Sequence, residues 1–190
     1  MDGFPEYLGY EARAVEIRLF TLGIVPGLLQ TPEYAAAMAD GDVRRGAITE
    51  FQAEERLSLL ARRQALVDRT PAPMFYVVMD ESSLLRPVGG SAVMATQFDR
   101  LLAFAELPST VLQVAPYSLG ERRSFDLPIN LLTLPDRSGL AYAESSLQGR
   151  MERESGLVQA KLTAYHQLQA EALSQTESVA MIGQLRKGTP

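Results

Sequence analysis

MFYVVMDE (Met74–Glu81) is the stretch on which the fold turns. It is short, aromatic and β-branched. The Thr70-Pro71-Ala72-Pro73 break precedes it and it ends in two acids, the pattern of a buried strand. Gly89-Gly90 and Ser91 then lead into AVMATQFDRLLAFAEL (Ala92–Leu107), which has a helical period, with Ser91 placed as the N-cap. VLQVAPY (Val111–Tyr117) is a second strand. The strand–helix–strand order predicts a parallel pair with a right-handed crossover. INLLTL (Ile129–Leu134) and LAYAE (Leu140–Glu144) flank the turn PDRSG and read as a hairpin.

Working outward, the flanks read as helical. Tyr7, Tyr10, Ala14, Ile17 and Leu22 recur at helical spacings and predict a first helix over Glu6–Leu22, stopped by Gly23. Thr31-Pro32-Glu33 opens a second helix with a hydroxyl cap, a proline where no N–H is needed and an acid on the positive end. Gly41 is expected to end it, just after Ala39. A third helix spans Ala47–Arg69, with Phe51, Leu57, Leu60, Ala61 and Leu66 as its buried side. Two helices close the chain: Leu157–Leu173, and one opened by Ser174 and Glu177 at capping-box spacing. The expected fold is a single mixed α/β domain over residues 1–190: helical over 1–70, sheet-containing over 71–150 and helical over 151–190. Its sheet is small and mostly four-stranded, with one βαβ unit and a hairpin.

Composition narrows the function classes. The chain has 190 residues, 46% hydrophobic and 22% charged, as expected of a globular domain. It has no cysteine and one histidine, His166, which excludes thiolate chemistry and leaves a zinc site or a serine–histidine–acid triad without its ligands. No G-x-S-x-G, G-x-G-x-x-G or P-loop signature occurs. The formal net charge of -5 opposes DNA binding by this chain alone. No apolar run approaches the roughly 20 residues of a membrane span, and the acidic N-terminus is unlike a signal peptide. A cytoplasmic protein without metal or cofactor is expected.

Candidate binding residues come from strand ends. Asp80 and Glu81 close the first strand, at the edge where α/β folds hold ligands, and Arg86 follows within reach. They can hold a cationic group, act as acid and base, or cap the next turn. Glu144 ends a hairpin strand and Tyr117 follows the second strand. Gln97 and Gln113 lie in apolar neighbourhoods, where a buried amide must find partners, as a structural bridge or a ligand contact. Arg122, Arg123, Arg137, Arg150 and Arg153 form either an anion clamp or a solvated surface balanced by acids. PVGGSAVM is either an anion-holding helix start or a tight turn.

An ordered set of motifs carries a family resemblance: VPGLLQTPEYA (Val25–Ala35), Arg63-Gln64, VVMDESSLLRPVGG (Val77–Gly90), VMATQFDRL (Val93–Leu101), LQVAPYSLG (Leu112–Gly120), AYAES and ALSQTES (Ala172–Ser178). Nearly the whole chain resembles the domain of unknown function that follows an XRE-type helix-turn-helix in many actinobacterial regulators. The resemblance implies a transcription-regulating effector or oligomerisation module: a homodimer, a small-molecule effector, and DNA contact only through a helix-turn-helix. It brings no catalytic residues. No helix-turn-helix is read in this chain, so it is a trimmed chain or a stand-alone copy. The alternatives are a stand-alone biosynthetic enzyme, an acyl or aminoacyl transferase or a cyclase using Ser82 or Ser83 with Tyr142, and a pure protein–protein module.

Overall fold

Aromatic and β-branched residues run almost unbroken through Met74–Asp80, and in the computed structural model they form the second strand of a six-stranded mixed sheet. Residues 3–144 and 149–188 are described, with Glu144 described in its backbone only. The elements are α1 (Phe4–Glu11), β1 (Glu16–Thr21), a 3-10 turn (Gly27–Leu29), α2 (Pro32–Arg44), α3 (Glu50–Gln64), β2 (Met74–Asp80), α4 (Ser82–Leu85) and α5 (Ser91–Ala105). Then follow β3 (Thr110–Ala115), a second 3-10 segment (Tyr117–Arg122), β4 (Ile129–Thr133), β5 (Gly139–Glu144), β6 (Gly149–Glu152), α6 (Ser155–Glu171) and α7 (Gln175–Gly188). The strand order is β3-β2-β1-β4-β5-β6.

The mixed α/β class, the terminal helices and the hairpin are as expected. The strand count is not. The expected helix over Glu6–Leu22 ends at Glu11, and Glu16–Thr21 is the strand between β2 and β4. β1 reads Glu16-Ile17-Arg18-Leu19-Phe20-Thr21, where Glu16 and Arg18 break the apolar run by which a strand covered on both faces is recognised. All of β1 beyond Glu16 is buried, and its apolar residues extended the helical spacing of α1. The segment 1–70 is therefore not wholly helical. Two parallel crossovers replace one: β1 to β2 through α2 and α3, and β2 to β3 through α4 and α5. β6, a four-residue edge strand, escaped the pattern too.

Both faces of the sheet are covered. On one, Ile17, Val77, Met79 and Leu112 pack with Tyr7, Tyr34, Phe98 and Ile182 from the helices α1, α2, α5 and α7. On the other, Phe20, Val78, Leu131 and Ala141 meet Val158, Tyr165 and Leu168 of α6. Tyr165 pins that helix: its hydroxyl lies 2.8 Å from the Tyr76 carbonyl and 3.1 Å from that of Leu19, on neighbouring strands. Burial raises the pKa of this phenol, so it remains a donor.

Helix ends follow the sequence in part. Thr31 caps α2, accepting from the Tyr34 amide, and Ser174 and Glu177 form the expected reciprocal box. α2 runs through Gly41 to Arg44, and α3 is shorter than expected at Glu50–Gln64. Phe51 and Ala61, both expected inside, are exposed, Phe51 at 67%, because the inward face of α3 runs through Ala53, Leu57 and Leu60. Gly90, not Ser91, is the N-cap of α5. Gly89 and Gly90 both have positive φ, so PVGG forms a tight turn that other residues adopt only with strain. No described helix is long and apolar enough to cross a membrane.

Candidate functional site

The parallel strands deliver their following loops to one edge of the sheet. Asp80 ends β2 and pairs in register with Ala115, the end of β3, so Glu81 and Tyr117 emerge side by side. The Asp80 carboxylate is buried and fully engaged. Oδ2 accepts from Arg123 at 2.9 Å, and Oδ1 accepts from the Ser82 amide at 3.0 Å and from the Ser82 hydroxyl. The Ser82 oxygen in turn accepts from the Gly23 N–H at 2.9 Å. One carboxylate and one hydroxyl thus tie together the segments that follow β1, β2 and β3. Burial pushes the Asp80 pKa up, but the Ser82 hydroxyl, Arg123 and the Ser82 amide outweigh it and hold the group below the ordinary carboxylate range.

Glu81 is used similarly. Its Oε2 accepts from the Tyr117 N–H at 2.8 Å, while its own N–H donates to the Ala115 carbonyl at 2.9 Å. The Tyr117 ring is exposed, and the exposed Arg86 guanidinium lies beside Gly23. The structure therefore brings Asp80, Glu81, Arg86 and Tyr117 to one edge. Glu144 ends β5 on that edge, but β1 and β4 stand between it and Asp80, and its side chain lies outside the described residues.

The two glutamines are bridges elsewhere. Gln97, fully buried on α5, accepts from the Thr31 N–H at 2.8 Å and donates to the Leu29 carbonyl at 2.8 Å. Gln113, in β3, donates to the Leu173 and Gln169 carbonyls and accepts from the Gln169 amide. The expected arginine set disperses. Arg122 pairs with Glu171, Arg123 with Asp80, and Arg153 lies over the Tyr10 ring at 5.1 Å. Tyr142 stacks on Tyr7 at 4.3 Å and belongs to the core cluster on the α1 face, so it does not join Ser82 at the strand ends.

A second polar constellation had no local signal in the sequence. Glu11, 1% exposed, receives both Nε and a terminal nitrogen of Arg63 at 2.8 Å. The Tyr7 hydroxyl donates to the same carboxylate at 2.6 Å and accepts from Asn130 at 3.0 Å. Burial first, and then the Glu11 charge, raise the Tyr7 pKa well above its ordinary value. The pair that anchors this network is 52 residues apart in sequence.

The motifs that carry the resemblance now have a physical role. Gln64 donates to the Gly27 and Gln30 carbonyls, Gln30 donates to the Val25 carbonyl, and the Val25 N–H donates to the Tyr34 hydroxyl. With Gln97 on the other side, VPGLLQTPEY is a loop folded on itself and clasped by α3 and α5. A family model for a domain of unknown function, DUF5753, matches residues 4–184. The chain belongs to the DUF5753 family. No curated protein and no solved structure matches it. In this DUF5753 member the matched span covers every strand and both polar networks.

One further concavity lies on the β6 side of the DUF5753 sheet. A cavity of about 270 Å³ opens between β4–β6 and α6. Ile129, Ala141 and Ala143 form its floor, and Leu157, Arg150, Glu152 and Lys161 stand around it. Of these, the sequence had singled out Arg150 alone.

Proposed function

We propose that this DUF5753 chain is a binding module, the ligand-sensing and dimerising part of a regulator whose DNA is read by a helix-turn-helix unit. The observation that carries this reading is the state of the acids at the carboxyl edge. A general acid or base works best with a pKa near the operating pH. Asp80 is driven the opposite way, held ionised by Ser82 and Arg123. Glu81 is tied to the backbone of the neighbouring loop. Such an edge fixes loops and holds no acid or base tuned to exchange a proton near neutral pH.

The formal charge of -5 agrees with a chain that leaves phosphate contact to an attached basic reader. A dimer would set two readers on two half-sites, and a ligand that prefers one arrangement would bias DNA affinity by its differential binding. Sedimentation of the purified chain across micromolar concentrations, with a thermal-shift screen against metabolites, tests this. The expected result is a dimer stabilised by a compound that is recovered unchanged. Turnover of the compound would move the chain to the enzymes, and a monomer that no compound stabilises would contradict the reading.

A further inference from the structure

Helix α6 packs on the sheet through Val158, Tyr165 and Leu168, and a cavity opens beside its first turns. At Gly139 the approach is close: a Cβ there would meet Val158 at 2.7 Å, nearer than side chains tolerate. Along the same face of β5 the next two residues are Ala141 and Ala143, whose small side chains leave the cavity open. Register places Glu152 opposite Ala141 and Arg150 opposite Ala143, so both charged side chains belong to the cavity face. Leu157 and Lys161, one helical turn apart on α6, complete the wall.

The charges around this apolar floor are unequal. The Glu152 Oε1 accepts from the Arg153 and Glu154 amides, each at 2.8 Å, so that oxygen is engaged in the turn into α6; these amides first, and the Arg150 charge to a lesser degree, hold the carboxyl below its ordinary range. Arg150 and Lys161 are exposed and join no ion pair among the described residues. The contrast with Arg63 and Arg123, each on a buried carboxylate, is direct. An apolar cavity rimmed by two exposed cations, which outnumber the one carboxylate described beside them, matches a molecule with an apolar body and one negative end.

We propose that the cavity under α6 binds a small amphipathic carboxylate, its apolar body on Ile129, Ala141 and Ala143 and its carboxylate on Arg150 and Lys161. This rests on the binding-module reading and supplies its site. The test is calorimetric titration of the chain with submicellar octanoate, against octanol and octylamine as neutral and cationic probes of equal chain length. Octanoate is expected to bind, octanol more weakly, and octylamine not at all. Arg150→Gln and Lys161→Gln should each weaken octanoate about tenfold, the scale of a hydrogen bond to a charged group, and leave octanol unchanged. Ala143→Leu should fill the cavity and abolish binding of both. Should that variant misfold by circular dichroism, the two glutamine variants on the exposed rim decide alone. Equal affinity for octanoate and octanol, octanoate binding untouched by both glutamine variants, or no binding to the wild type would each overturn the site. A different compound that stabilises wild type and Ala143→Leu alike would remove this site while leaving the binding-module reading in place.

Discussion

The parallel and antiparallel halves of the sheet treat their cations differently. In the parallel half, with its crossovers, Arg63 lies on Glu11 and Arg123 on Asp80, both carboxylates buried. In the antiparallel half, Arg150 and Lys161 stand exposed at the rim of an apolar cavity and join no ion pair among the described residues. A buried charge without a partner costs several kcal/mol, so the first arrangement is a condition of folding. An exposed cation is solvated and costs little, so the second leaves charge available for something that arrives later. The difference separates groups that build the domain from groups positioned to receive a ligand.

The sharpest way to break this contrast is to remove a builder. Glu11→Ala removes the buried carboxylate that the half-buried Arg63 guanidinium and the Tyr7 hydroxyl share, and should cost roughly 3–5 kcal/mol in urea unfolding. A loss under about 1 kcal/mol would mean that the network relaxes onto water. Gln97→Ala comes next. It strands the buried Thr31 N–H and Leu29 carbonyl and should cost about 2–4 kcal/mol, with hydrogen exchange rising first in the Val25–Ala35 loop.

Asp80→Asn is expected to cost less, about 1–3 kcal/mol at neutral pH, and its effect depends on pH. The folded pKa of Asp80 is depressed, so the ionised group stabilises the fold above the ordinary carboxylate range. That contribution is complete above about pH 5 and fades as pH falls through the folded value. The stability gap between wild type and Asp80→Asn should therefore narrow toward about pH 3. A gap that stays constant would show that the charge on Asp80 is not what Arg123 and Ser82 hold. Arg150→Gln and Lys161→Gln should have the smallest effect, within about 0.5 kcal/mol of wild type in unfolding, because both side chains are exposed and neither joins an ion pair among the described residues. A large loss from either would place these cations among the builders.

What the sequence revealed follows the range of the forces involved. β2, β3 and the hairpin were legible because their apolar runs are bounded by proline, glycine and acids. The Ser174–Glu177 box was legible because both partners lie within one turn. β1 was hidden because Glu16 and Arg18 interrupt its apolar run, and Tyr7, Tyr10, Ala14 and Ile17 fall by chance at helical spacing. Phe51 was misplaced because an apolar residue on a helix does not announce which face meets the domain. At the site, sequence located the edge carrying Asp80, Glu81, Arg86 and Tyr117. It could not see that Arg123, 43 residues from Asp80, closes that edge. The α6 cavity was invisible for another reason: it is made by what Gly139, Ala141 and Ala143 lack, and alanine in a strand gives no local signal.

The most direct measurement is a two-dimensional amide NMR titration of the isotope-labelled chain with octanoate. The account predicts saturable shifts confined to Ala141, Ala143, Arg150, Leu157 and Lys161, with the amides of Asp80, Glu81 and Tyr117 unmoved. Shifts centred on Asp80, Glu81 and Tyr117, with the α6 cavity silent, would contradict it and return the ligand site to the carboxyl edge of the parallel strands.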